Sequence, residues 1–149
     1  GFEQELSWNV RLLGNPHIGL HRTSKAVQEI RRLLSTVNPP IQAVIDSGAL
    51  PHLVELLGPE PNMLAHDVAW VFINITCKEK EHTEAVIKAG ALPKLIKLLE
   101  SKWWHVCESV AWALGNIAAD CRDVVMEHGA VQAIISMCEN HMKHERALK

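Results

Sequence analysis

An all-α solenoid of about three tandem helical repeats is the fold class the sequence predicts, and three observations predict it. The segment AVIDSGALPHLVELLG from Ala43 recurs as AVIKAGALPKLIKLLE from Ala85, and more loosely as VVMEHGAVQAIISMCE from Val124. Gly48 and Gly90, Trp70 and Trp112, and Asn74 and Asn116 all stand 42 residues apart. A shared step of about 40 residues is the mark of two- or three-helix solenoid repeats. Finally, Leu53, Leu56 and Leu57, like Leu95, Leu98 and Leu99, fall on one helical face, and no segment alternates with the period of a strand.

Each repeat reads as a short helix, a middle helix and a long third helix. Gly48, Gly90 and Gly129 stand where the short helix must end and the next begin at a sharp angle, a turn that favours a left-handed backbone. Pro51 and Pro93 suit the first turn of the middle helix. The third helix carries Trp and Asn, with Ala69, Phe72 and Ile73, then Ala111, Leu114 and Gly115, expected on its buried side. The predicted units are residues 1–37 (leading helices of the first repeat), 38–79 and 80–119 (full repeats) and 120–149 (a partial repeat).

Composition narrows the function. The chain has 149 residues, 48% of them apolar, enough to bury a substantial core. No apolar run approaches the length that crosses a bilayer, and GFEQELSW does not read as a secretory signal, so no membrane partner is expected. A net charge of −2 argues against general nucleic-acid binding and favours a basic partner. Cys77, Cys107, Cys121 and Cys138 lack zinc-finger spacing and are expected as reduced, buried thiols. The histidines follow no Ser-His-Asp or Cys-His order, and no glycine-rich phosphate loop is present, so neither an enzyme nor a cofactor is expected.

The Gly-Ala before each middle helix and the Ala-Trp-x-x-x-Asn of each third helix resemble the armadillo repeats of the importin-α family of nuclear import adaptors. AWALGNIA, Ala111 to Ala118, carries that family's signature, and KAVQEIRRLLSTVNPPIQAVIDSGALP is similar to its first repeat. The resemblance covers most of the chain but only about three units of a family array of roughly ten, as a fragment or truncated relative would. It implies a right-handed armadillo superhelix, residence in cytoplasm and nucleus, and recognition of an extended nuclear localisation signal.

The residues themselves supply a reason. Trp and Asn four apart project from one helical face, so stacked repeats set Trp70 beside Trp112 and Asn74 beside Asn116, roughly 8–10 Å apart as for packed helices. An asparagine amide both donates and accepts, and so can hold a peptide backbone of any sequence. The indoles form walls between which a lysine stem can lie, with the cation adding about 0.5–2 kcal/mol. The same side carries Met63, His66 and Asp67 in one repeat and His105, Glu108, Ser109 and Asp120 in the next, with carboxylates and no lysine or arginine. The resemblance further implies a lysine pocket between Thr83 and Asp120, and matches Trp70, Asn74, Trp112 and Asn116.

Some positions depart from the family pattern. Lys78 stands where a small residue is usual, and repels a basic ligand unless it points away. Ser109 replaces a glutamine, and Ile73 is bulkier than expected. Asn116 to Gly129 spans 13 residues where Asn74 to Gly90 spans 16, which should reposition the Asp120 loop. In the first repeat Gln28 and Arg32 hold the Trp and Asn positions, and an arginine there would close the groove. No arginine-rich segment of the kind that binds the import carrier appears in residues 1–20, so neither carrier binding nor autoinhibition by that route is expected.

Each assignment has a plainer rival. A helical tryptophan is more often core, but here the core face is already filled and an asparagine recurs beside it. For Thr83 and Asp120 the rival is helix capping. Trp103 and Trp104 are expected in core packing, and Cys138, His141 and His144 on a solvated helix face rather than around a metal. ENHMKHERALK reads as the start of another third helix, leaving an apolar end suited to homo-oligomer formation. The alternatives to peptide adaptor are an armadillo scaffold for other protein–protein contacts, or a self-associating structural repeat protein.

Overall fold

The computed structural model describes residues 1–58 and 62–148, and among these the chain is helical without strands. The elements are α1 (Phe2–Leu13), α2 (Leu20–Leu34), α3 (Ile41–Asp46), α4 (Ala49–Glu55), α5 (Ala65–Ile75), α6 (Lys80–Lys88), α7 (Ala91–Leu98), α8 (Trp104–Glu127) and α9 (Ala130–Leu148). Helices α3, α4 and α5 form one short-middle-long unit, and α6, α7 and the first part of α8 form the next. None of the described helices is long and apolar enough to cross a membrane.

Like packs on like. The third helices stack as α2, α5 and α8 with α5 in the middle, while α1 lies against α4 and α3 against α6. The 42-residue step is visible in the core: Ile30, Phe72 and Leu114 occupy equivalent buried positions, as do Leu33, Ile75 and Ile117. Each repeat therefore buries its third helix against the preceding one, and the array is an α-solenoid.

Gly48, Gly90 and Gly129 have φ of +82°, +88° and +78°, the left-handed backbone their positions call for. A Cβ built on any of them would meet nothing within 4 Å, so the requirement is one of backbone conformation and not of space. Pro51 and Pro93 lie in the first turns of α4 and α7, where a missing N–H breaks no helical bond.

Several expectations are corrected. Ala69, Phe72, Ile73 and Leu114 are buried as anticipated, but Ala111 is only half-buried and Gly115 faces solvent, one residue short of Asn116 on the outer side of α8. Trp103 and Trp104 are 48% and 49% exposed instead of core, because they begin α8 ahead of its packed face. The Trp104 indole N–H donates to Glu108 and its ring meets His141 edge-on at 5.0 Å. Only Cys107 is a buried thiol; Cys121 is half-buried, and Cys77 and Cys138 are exposed. His141 turns from Cys138 toward Cys107 and the Ser101 carbonyl, and no group of metal-ligating side chains forms among the described residues.

The C-terminal segment is not a new third helix but the continuation of α9. Nothing between Ala130 and Leu148 is a glycine or proline, so no residue interrupts the helix. The shortened link after Asn116 acts similarly. Residues 76–79 separate α5 from α6, whereas three fewer residues let the corresponding helices merge into α8, with a kink at Cys121 (φ −133°, ψ 55°).

Replacing Gly90 by alanine should cost about 1–2 kcal/mol of stability from the left-handed backbone alone, read as a lower urea midpoint, with asparagine recovering part. Thiol labelling of the native protein should modify Cys77 and Cys138 first and Cys107 only on unfolding. Burial, and then nearby Glu84, raise the Cys121 pKa, so its thiolate fraction is low at neutral pH and its labelling should set in at higher pH.

Candidate functional site

The stacking of α2, α5 and α8 brings the singled-out residues into one strip. Trp70 and Trp112 lie in direct contact, ring centroids 5.3 Å apart and planes at 59°. A methylene stem between two facing rings needs carbon contacts of about 3.5–4 Å on each side, hence roughly 7–8 Å. The indoles lean together more closely than that at their centres, and at 59° they form a wedge and not two parallel walls. The surface left for a ligand is the outer part of Trp112, which is 54% exposed; Trp70 is half-buried. Trp112 lies against Trp70 and covers part of it.

The asparagines differ too. Asn116 donates its side-chain N–H to the Ile73 carbonyl of α5 at 3.3 Å, leaving its amide oxygen as an acceptor. The Asn74 side chain makes no hydrogen bond among the described residues and is half-buried. Ile73 is itself buried between the helices, so its bulk does not intrude on the strip.

Thr83 and Asp120 do come together, through a direct hydrogen bond. The fully buried Thr83 hydroxyl donates to Asp120 Oδ2 at 2.8 Å, tying α6 to the end of the straight part of α8. Thr83 lies beyond the first residues of α6, so the contact is not an N-cap. The hydroxyl holds the carboxylate; the carboxylate, half-buried, is the group left to face a ligand. Asp120 also borders a cavity of about 600 Å³ with Lys80, Glu84, Lys88 and Arg122.

Charge is where sequence reasoning missed a residue. The expected absence of arginine holds on α5, but α8 carries Arg122 at the cavity beside Asp120, and α2 brings Arg31: its guanidinium sits 5.0 Å over the Trp70 ring, and its Nη1 is 2.7 Å from Asp67 Oδ1. Asp67 is therefore paired within the chain. Arg32, expected to close the groove, binds Glu29 and Glu5 at 2.9 Å each. The signal was legible, since Arg31 is three residues after Gln28 and so shares its helical face. Lys78 points away, its ammonium donating to the Val37 carbonyl at 3.2 Å.

Glu108 and Asp120 flank Trp112 along α8, one turn before it and two turns after, and neither forms an ion pair among the described residues. Beside them His66 and Ser109 meet at 2.9 Å, with His105 edge-on to His66 at 5.2 Å. With the Ser109 hydroxyl donating to the His105 carbonyl, the tautomer that satisfies both contacts has His66 offering its N–H to the serine oxygen. That is the reverse of the polarity a serine nucleophile requires.

Comparison with known proteins agrees with this architecture. The armadillo/beta-catenin-like repeat pattern matches residues 37–76 and 79–119. Importin subunit alpha-2 of Arabidopsis thaliana is 40% identical over 124 residues, covering 80% of this chain and 23% of that protein. Importin subunit alpha-6 of the same plant is 39% identical over 124 residues with the same shares. The chain thus spans about a quarter of the length of these relatives. A designed armadillo repeat protein solved in complex with the peptide (KR)4 superposes with a TM-score of 0.79 at 33% identity, over 86% of this chain and 54% of that one. The repeat pattern, the relatives and the stacked third helices lead to one assignment: the chain belongs to the armadillo/beta-catenin-like repeat family, as an importin-α-like armadillo protein.

Proposed function

We propose that this protein is a non-enzymatic adaptor that binds an extended Lys/Arg-rich peptide of the nuclear localisation class across α5 and α8, serving between cytoplasm and nucleus. One observation carries the reading: an exposed indole, Trp112, stands between two carboxylates, Glu108 and Asp120, that have no cation paired to them among the described residues. A lysine stem laid on Trp112 directs its ammonium group toward Asp120, which Thr83 holds in place. Asn116 accepts a peptide N–H, and Asn74 offers both donor and acceptor. Trp70 supports Trp112 from beneath. The designed neighbour that holds an alternating Lys-Arg peptide supports the same ligand chemistry on the same scaffold. A scaffold for acidic ligands would need a basic strip instead. The Ser109–His66 geometry speaks against a nucleophilic role.

A Lys-rich peptide titrated against an acidic control of equal length should bind selectively. Trp112→Ala should weaken binding by about 2- to 30-fold, the range of a cation–π contact. Asp120→Asn keeps an acceptor for Thr83 but removes the charge, and should weaken binding by about tenfold or more. Indifference to both substitutions would retire the reading.

A second reading rests on α9. Val131, Ile135, Cys138 and Met142 are exposed at helical spacing along one stripe. Such an apolar face favours homo-association, and sedimentation at micromolar concentration should then show a dimer or higher species. A monomer throughout would remove this reading and leave the first untouched.

A further inference from the structure

We propose that Arg31 is a specificity-determining residue of the strip: it fills the Trp70–Asp67 position with a cation of the chain's own and confines the basic residues of a ligand to the level of Trp112. The proposal rests on the peptide-binding reading above and adds the charge pattern of the peptide that fits.

The contact is tertiary, joining residues 36 apart from α2 to α5. Arg31 makes two contacts at once: its guanidinium lies over the Trp70 indole at 5.0 Å and its Nη1 meets Asp67 at 2.7 Å. These are the contacts a ligand lysine or arginine would itself seek on an indole beside a carboxylate. The side chains of the pair are 33% and 20% exposed, so water screens the interaction only partly. A ligand cation arriving at Trp70 must therefore displace Arg31 or face it as a like charge.

The strip is consequently polarised. Around Trp70 the charges of Arg31 and Asp67 cancel. Around Trp112, Glu108 and Asp120 contribute two negative charges with no ion pair to either among the described residues. Arg32, the neighbouring cation, is paired with Glu5 and Glu29. Among the described residues only Nη1 of Arg31 is engaged in a hydrogen bond, which leaves its other N–H groups to donate to a carbonyl or carboxylate of a ligand. Alternate residues of an extended peptide share one side and lie about 6.6 Å apart, close to the 5.3 Å between the two indoles. The matching ligand carries a lysine or arginine over Trp112 and, two residues away toward α2, a neutral or acidic side chain. A uniformly basic run fits less well.

The test compares an all-lysine alternating peptide, (Lys-Ala) repeated, with two versions in which the first or the last lysine is glutamate, one for each possible chain direction. In the unmodified protein one glutamate version should bind at least as tightly as the all-lysine peptide. Arg31→Met keeps an apolar stem on the indole and releases Asp67; it should tighten the all-lysine peptide by about tenfold and weaken the favoured glutamate peptide. Asp67→Asn should act oppositely, since it leaves Arg31 uncompensated, and the double variant should return toward the starting affinity. Thermal melts of each variant establish that it is folded, and Arg31→Gln repeats the measurement if Arg31→Met is not. If the all-lysine peptide binds, depends on Trp112, and yet is bound no more tightly after Arg31 is replaced, this inference is wrong while peptide binding stands. If no peptide binds any variant, both fall together.

Discussion

The packing of each third helix against the one before it is the constraint from which the rest of the structure follows. Ile30, Phe72 and Leu114 are buried at the same step in α2, α5 and α8, and burying each of these side chains contributes on the order of 1.5–3 kcal/mol. Because that face of every third helix is committed to its neighbours, the residues four apart on the other side, Trp and Asn, are left on a common surface. A solenoid has no closed core, so what one repeat exposes depends on whether another follows it. Among the described residues Trp70 is half-buried, in contact with Trp112, and Trp112 is exposed.

Equivalent positions have accordingly acquired different electrostatic surroundings. Asp67 in α5 is within reach of α2 and pairs with Arg31; the corresponding residue of α8 is Ser109, which bonds within α8 and to His66. The carboxylates near Trp112 come instead from Glu108 and Asp120. One repeat pairs Asp67 with Arg31, while the next leaves Glu108 and Asp120 without an ion pair among the described residues, although both carry the same Trp-x-x-x-Asn. The periodic motif supplies a recurring indole and carboxamide, and the residues between the motif positions decide the charge around them.

The junction between repeats shows how a small change in length acts locally. Four non-helical residues follow α5, while the link after Asn116 is three residues shorter and becomes the kinked continuation of α8. Asp120 stands just before that kink and is secured by Thr83 from α6. A carboxylate on a continuous helix, with one oxygen bound from the next element, is held more firmly than one on a loop. Its remaining oxygen is aimed by the helix, which favours a defined geometry for an incoming ammonium group.

Periodicity was legible in the one-dimensional chain because it depends on local spacing. The three-helix units, the left-handed glycines at 48, 90 and 129, the buried Phe72 and Leu114, and the Trp–Asn faces all follow from residues within a turn or two of each other. The meeting of Thr83 with Asp120 was also anticipated, although as a pocket and not as a direct bond. What tertiary structure decided were contacts between residues far apart in sequence. Whether the indoles stand apart or touch depends on how α5 and α8 tilt; whether Arg31 or Arg32 reaches the strip depends on the rotation of α2 about its axis. Trp103, Trp104 and the end of α9 are exposed because packing, not hydrophobicity, determines which apolar side chains find a neighbour. Spacing along a helix specifies which side chains share a face, and only the docking of one helix on another specifies what that face meets.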